Sequence, residues 1–270
     1  MQTNHLEAAM SGQERLPMID SDIIKAFDSI SLDEMKKVRL MNRIDTKYVT
    51  SLDKILELLR LTTGHYMIQQ IENRSNMPYY TKYFDTADVQ MFYQHQRGKK
   101  NRQKIRMRIY EGCDVEPFIE IKTKNNKGRT KKDRISMEEG QDLRQYYGFL
   151  SGHSQYEPSS LQPHIENHFY RITLVNKEMT ERITIDTDLQ FHNLTNDNRV
   201  SLNNIGIIEW KRDGRNTKSP LIPILKDLGI HPSGFSKYCI GMAITNSELR
   251  QNRLKAKLRL IKRIASREAN

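Results

Sequence analysis

From Arg43 onward the chain alternates polar and apolar residues with a period of two, as expected of strands whose two faces meet different surroundings. In the run 102–110, Arg102, Lys104, Arg106 and Arg108 share one face, and Ile105, Met107 and Ile109 share the other. In 118–124, Glu120, Lys122 and Lys124 oppose Ile119 and Ile121. Arg43, Asp45 and Lys47 oppose Ile44 and Tyr48, and Arg182, Thr184 and Asp186 oppose Ile183 and Ile185. Glu209 and Lys211 oppose Ile208 and Trp210, while Lys132 and Arg134 share one parity. The pattern predicts strands near 41–50, 66–73, 79–86, 101–111, 116–124, 130–137, 168–176, 181–188 and 204–212. Helical patches are predicted at 51–61, 88–96, 138–148 and 219–228, with a Ser- and Pro-rich loop over 151–163.

Many strands and few long helices define an α+β fold, expected here as a closed antiparallel β-barrel with helices packed outside. Three units are expected. Residues 1–38 form a peripheral helical segment, with a capping box from Ser31 to Glu34. Residues 39–245 form the barrel, and 246–270 form a basic C-terminal helix.

Charge sharpens this reading. The 270 residues carry 44 Lys and Arg against 33 Asp and Glu, a formal net charge of +11. An excess of this size calls for a polyanionic partner: nucleic acid, an acidic membrane or a phosphate compound. One such strand alone reads as an ordinary one-sided sheet with a solvated face. Cationic rows on strand after strand do not, because like charges across a ladder repel. Converging inside a barrel of about eight strands, they would enclose one slim anion. The rows are interleaved with aliphatic rather than stacking aromatic residues, which argues against nucleic acid.

Other signals are weaker. Arg97-Gly98-Lys99-Lys100 lacks the frame of a phosphate loop. His164 and His168 lie four apart at a strand entry, where packing or surface exposure outweighs zinc binding. Cys113 and Cys239 have no paired spacing and read as free thiols. The N-terminus lacks a secretory pattern, and no apolar stretch is long enough to span a membrane, so the expected location is the cytoplasm. The run Arg250–Arg267 places Leu254, Leu258 and Ile261 on one helical stripe. Packing on the barrel is the plain reading; the alternative is contact with the inner face of a membrane or with a membrane protein.

Nine motifs in order carry a resemblance: Arg43-Ile-Asp-Thr-Lys47-Tyr48, Tyr83-Phe-Asp-Thr86, Arg102 to Tyr110, Ile119-Glu-Ile-Lys122, Lys131-Lys-Asp-Arg134, Tyr170-Arg171, Arg182 to Asp186, Ile208-Glu-Trp-Lys211 and Phe235-Ser-Lys-Tyr238. Together they resemble the polyphosphate polymerase domain of the vacuolar transporter chaperone family, in a stand-alone, bacterial-type form, within the triphosphate tunnel metalloenzymes. The resemblance implies catalytic roles for Arg106, Arg108, Lys211 and Lys237. It implies phosphate contacts from Lys47, Lys122, Lys132, Arg134, Arg171 and Arg182. Glu209, helped by Glu120, would hold Mn²⁺ or Mg²⁺. The implied ligands are ATP or another triphosphate and inorganic polyphosphate, and the implied activity is polyphosphate synthesis from the γ-phosphate of ATP. A triphosphatase and a non-catalytic polyphosphate or inositol-phosphate binder are the alternatives. Hydrolytic members of the superfamily begin with Glu-x-Glu-x-Lys; this chain has Arg43, Asp45 and Lys47 there, which favours the polymerase branch. Arg102 and Lys104 are expected at a tunnel mouth or in solvent, and Tyr83 to Thr86 in packing and turn chemistry.

Overall fold

The computed structural model describes residues 19–35, 37–38, 43–127, 129–138, 140–214 and 218–266. In chain order the elements are α1 (Ser21–Lys25), β1 (Asp28–Ser31), α2 (Leu32–Met35), β2 (Arg43–Ser51), α3 (Leu52–Thr62), β3 (Tyr66–Gln70) and β4 (Asn76–Thr86). They continue with α4 (Gln90–Gln96), β5 (Arg102–Tyr110), β6 (Phe118–Lys124), β7 (Thr130–Ser136), α5 (Tyr147–His153), β8 (Leu161–Asn176) and β9 (Glu181–Asn193). The last elements are β10 (Arg199–Leu202), β11 (Ile205–Asp213), α6 (Leu221–Asp227), α7 (Lys237–Thr245) and α8 (Lys255–Ser266).

The main path of the sheet runs β2-β11-β9-β8-β4-β5-β6-β7, antiparallel at every step. Its register decides the site, because residues opposite each other on a ladder share a face. Lys47 stands opposite Glu209, Lys211 opposite Arg182, and Arg171 opposite Asp186. Tyr83 stands opposite Arg106, Arg106 opposite Glu120, and Glu120 opposite Arg134. The cationic positions of separate strands are thereby laid onto one face.

The other face is apolar and covered. Ile105, Ile119 and Ile121 pack with Met91 and Phe92 of α4 and Leu150 of α5. Ile183 and Ile185 pack with Ile55, Leu58 and Leu59 of α3 and Leu221 and Leu225 of α6. At Gly206 of β11 a Cβ would come within 2.2 Å of Ile55 Cγ1, so α3 sits as close to the sheet as a bare backbone permits. Met107 is half-buried at the edge of the first cluster.

Several expectations are corrected. The sheet is not a closed barrel: its two end strands, β2 and β7, are not paired with each other. It curls round a cavity and leaves a seam. Nor is it wholly antiparallel, since β1 pairs parallel with β3, which in turn pairs with β8. Of the segment expected to be helical, residues 1–18 lie outside the described residues, and β1 separates two short helices in the remainder. The Ser31–Glu34 capping box does form, with Glu34 N donating to Ser31 Oγ and Ser31 N to Glu34 Oε2. The loop expected over 151–163 is shorter, because α5 runs to His153 and β8 begins at Leu161. In the C-terminal segment, Leu254 and Ile261 are buried and Leu258 packs against the same cluster. Among the described residues no helix is long and apolar enough to cross a membrane.

A cation-lined cavity as candidate active site

The curled sheet encloses a cavity of about 1050 Å³ lined by fourteen Lys and Arg side chains and five Asp and Glu. Ten of the sequence-predicted residues line it together: Lys47, Arg106, Arg108, Lys122, Lys132, Arg134, Arg171, Arg182, Lys211 and Lys237. They come from seven strands and the first residue of α7. Glu209 also lines the cavity, while Glu120 lies fully buried beneath it. Lys132 and Arg134, on the edge strand β7, are exposed and form the rim.

Two carboxylates organise the walls. Glu120 accepts from Arg106 Nη2 at 2.6 Å and Arg134 Nε at 2.6 Å, with Lys122 Nζ at 3.3 Å. Burial alone would raise its pKa, but Arg106, Lys122 and Arg134 overcome that and hold it well below the usual carboxylate range. On the opposite wall Asp186 accepts a bidentate fork from Arg171 and a bond from Lys237 Nζ. Burial opposes its ionisation too, and these cations again keep it charged. The Arg171 guanidinium lies 4.9 Å from the Tyr79 ring centroid, and Lys237 Nζ lies 4.1 Å from that of Phe169. Tyr79 and Phe169 stack at 5.2 Å, forming an aromatic floor under these cations.

Several other cations are poorly compensated. Arg108 donates from Nε to Thr81 Oγ1 at 3.2 Å and has no carboxylate partner among the described residues. Burial, then the neighbouring Arg106 and Arg171, push its pKa down to about 10. Lys104 donates to Ser236 Oγ at 3.1 Å, and burial lowers its ammonium to about 8. Arg106 Nε and Arg182 Nε are buried with no hydrogen-bond partner. Buried donors of this kind are rare in a folded protein unless a ligand or water completes them. His95, at the end of the cavity near Lys104, is held neutral by burial and by the cations around it.

Residues given no site role from the sequence are Asp186, Tyr79 and Phe169, and Lys104, expected at a tunnel mouth or in solvent, lines the cavity. Asp186 shares parity with Arg182, and Lys104 with Arg106, so alternation pointed to both. Nothing local foretold that Ser236 would close over Lys104 from 132 residues away.

A divalent cation fits this wall at one position. Among the described residues no three His, Cys, Asp or Glu side chains gather into a metal cage. Glu209 lines the cavity between Lys47 at 3.4 Å and Lys211 at 2.7 Å. Burial raises its pKa and the two lysines lower it further, so it stays ionised. One carboxylate completed by phosphate oxygens and water is enough for a small hard cation. Glu120 does not suit the helper role, because Arg106, Arg134 and Lys122 already share its oxygens.

The fold and site define a curled-sheet protein with a cavity built for a multiply charged anion. The VTC domain family model matches residues 42–246, and the chain belongs to that family. Among solved structures it is similar to a putative adenylyl cyclase, HpAC1 from Hippeastrum, reported to have a dominant triphosphatase activity. That likeness is 13% identical, covers 76% of this chain and 97% of that one, and has a TM-score of 0.46. The Mediator head module of Schizosaccharomyces pombe is similar at 6% identity, with 69% and 90% coverage and a TM-score of 0.37. Likenesses this distant carry no argument about function. Comparison with curated proteins gives no match.

Proposed function

We propose that this protein catalyses metal-dependent phosphoryl transfer in the cavity, and specifically that it extends inorganic polyphosphate with the γ-phosphate of ATP. The observation that carries this reading is the cationic wall, fourteen Lys and Arg against five Asp and Glu, in which Arg108 has no carboxylate partner among the described residues. A chain of phosphates would supply the missing negative charge.

Phosphoryl transfer asks mainly for positioning and charge stabilisation. Arg106, Arg108 and Arg182 would grip phosphate oxygens through guanidinium forks. Lys47, Lys122, Lys132, Lys211 and Lys237 would offset the remaining charge, with Arg134 and Arg171 fixed by Glu120 and Asp186. Glu209 would hold Mn²⁺ or Mg²⁺, which would screen charge on the triphosphate. A terminal oxygen of the phosphate chain would attack the γ-phosphorus as its bond to the β-phosphate oxygen breaks and ADP leaves. Strand β2 supports a polymerase over a hydrolase: Arg43 pairs with Asp45 at 2.7 Å and Lys47 faces Glu209, leaving no two-carboxylate metal clamp there.

Purified protein incubated with ATP and Mn²⁺ should give polyphosphate on a stained gel. Orthophosphate as the sole product would make the protein a triphosphatase. Tight binding of triphosphate without turnover would make it a receptor.

A further inference from the structure

A second hollow, of about 280 Å³, lies outside the cavity and is lined by Tyr93, Gln96, Arg97, Arg250, Asn252 and Arg253. Two distant segments build it. Gln96 Nε2 donates to Arg250 O at 2.8 Å, and Arg253 Nη1 donates to Arg97 O at 2.6 Å. These bonds pin the stretch before α8 against the C-terminal end of α4. No carboxylate lines the hollow, and Arg97, Arg250 and Arg253 are exposed with no ion pair among the described residues.

One stretch of chain links the hollow to the cavity. The turn from Arg97 to Arg102 carries exposed Lys99 and Lys100 between the two, and Arg102, which lines the cavity, donates to Lys99 O at 2.6 Å. On α4, His95 faces the cavity while Tyr93 and Gln96 face the hollow. Along the chain a strip of cations thus runs from Arg102, which lines the cavity, through exposed Lys100 and Lys99 to Arg97, which shares the hollow with Arg250 and Arg253.

We propose that this strip is a second binding site for the same kind of anion: the part of a linear phosphate chain too long for the cavity lies along it. The proposal rests on the cavity binding phosphate chains. Arginine forks spaced along a solvated track suit successive phosphates, and exposed contacts tether a chain without trapping it, since each is weak. The strip therefore sets a preference for long chains and leaves the binding of short ones alone.

The test compares tripolyphosphate with long-chain polyphosphate on the full chain and on Arg97→Ala/Arg250→Ala/Arg253→Ala. Tripolyphosphate affinity should be unchanged, while the advantage of the long chain should fall roughly tenfold, the scale that three exposed charge contacts reach together. Because Arg253 also holds backbone carbonyls of α4, the pair Arg97→Glu/Arg250→Glu serves where the triple variant does not fold. A long-chain advantage that survives in the variants overturns the strip. Equal loss for both ligands overturns it too, by showing general charge attraction. Wild-type protein that binds neither ligand instead removes the phosphate reading of the cavity itself.

Discussion

The guanidinium of Arg171 lies flat against the carboxylate of Asp186, with Nε at 2.6 Å from Oδ1 and Nη2 at 2.8 Å from Oδ2. Lys237 donates to that same Oδ2. Asp186 is therefore a resident anion in a cavity otherwise short of them. It holds two cations in place, and a phosphate ligand would have to compete with it for them.

Asp186→Asn should separate these effects. Losing the charge leaves Arg171 and Lys237 buried against a neutral amide, so stability in urea should fall by about 3–5 kcal/mol. Tripolyphosphate should restore more melting temperature in this variant than in the wild type, because its phosphates meet cations with no internal partner. Equal ligand-induced shifts would show that Asp186 does not compete.

Glu209→Gln should remove metal-dependent turnover by at least ~100-fold while the protein stays folded. The amide cannot supply the charge that a divalent cation needs, and it leaves Lys47 and Lys211 without their carboxylate. Turnover measured across a Mn²⁺ titration, alongside a melting curve, checks both halves. Full metal-dependent activity would take the metal away from Glu209.

Tripolyphosphate should raise the melting temperature more than orthophosphate does, and salt should shrink the effect. Arg108→Ala should weaken that stabilisation by roughly 1.5–3 kcal/mol, the worth of a hydrogen bond to a charged group. Lys262, exposed on α8, is the matched control and should show no loss. Lys257 is unsuitable as a control, since it lies close enough to the cavity mouth to depress His95.

Lys104 gives the cavity a pH dependence. Its folded pKa of about 8 lies below the ordinary lysine value of 10.5, chiefly through burial. Between these values the unfolded chain holds more protons, so this group makes the ligand-free protein more stable as pH rises from 8 to 10.5. A phosphate ligand favours the ammonium and acts in the opposite sense. Its affinity should be fully present below pH 8 and fall above it, with protons taken up on binding near pH 8. Calorimetry in two buffers of different ionisation enthalpy measures that uptake, and Lys104→Met should reduce it, leaving the share of Lys211 and Lys237, whose ammonium groups burial lowers to about 8 and about 7.

Asp85 ties two helices to the cavity end. Its carboxylate accepts from Met91 N and Phe92 N at the start of α4 and from the Tyr238 hydroxyl on α7. Tyr238→Phe removes one of these bonds and should cost about 1.5–3 kcal/mol in denaturant unfolding. The neighbouring Lys237 should then bind ligand less well, seen as a smaller additional loss when Lys237→Ala is combined with it.

Much of this site was legible because strands have period two. Arg106 and Arg108 could be assigned to one face and Ile105 and Met107 to the other from their spacing alone. Closure was not legible, since pairing of β2 with β7 is a long-range choice that no local pattern encodes. β1 and β10 were missed because four residues are too few to show alternation. The partnership of Arg171 with Asp186 depends on the register of β8 and β9, which shifts between His168 and Tyr170. The Tyr83 to Thr86 motif read as turn chemistry, and Asp85 does bond Thr86 N there, but its bond to Tyr238 spans 153 residues.

The seam between β2 and β7 makes ionic strength a mechanical variable. Arg43 on one edge lies close enough to Lys132 on the other to add to the burial that disfavours its ammonium. Ladder bonds would fix the girth of the wall, but here the cations Arg43 and Lys132 oppose each other without them. Counterions relax that repulsion within a Debye length of about 10 Å at 0.1 M salt. A polyanion lying between the two edges would relax it far more strongly than simple salt, so the width of the seam would answer to what the cavity holds.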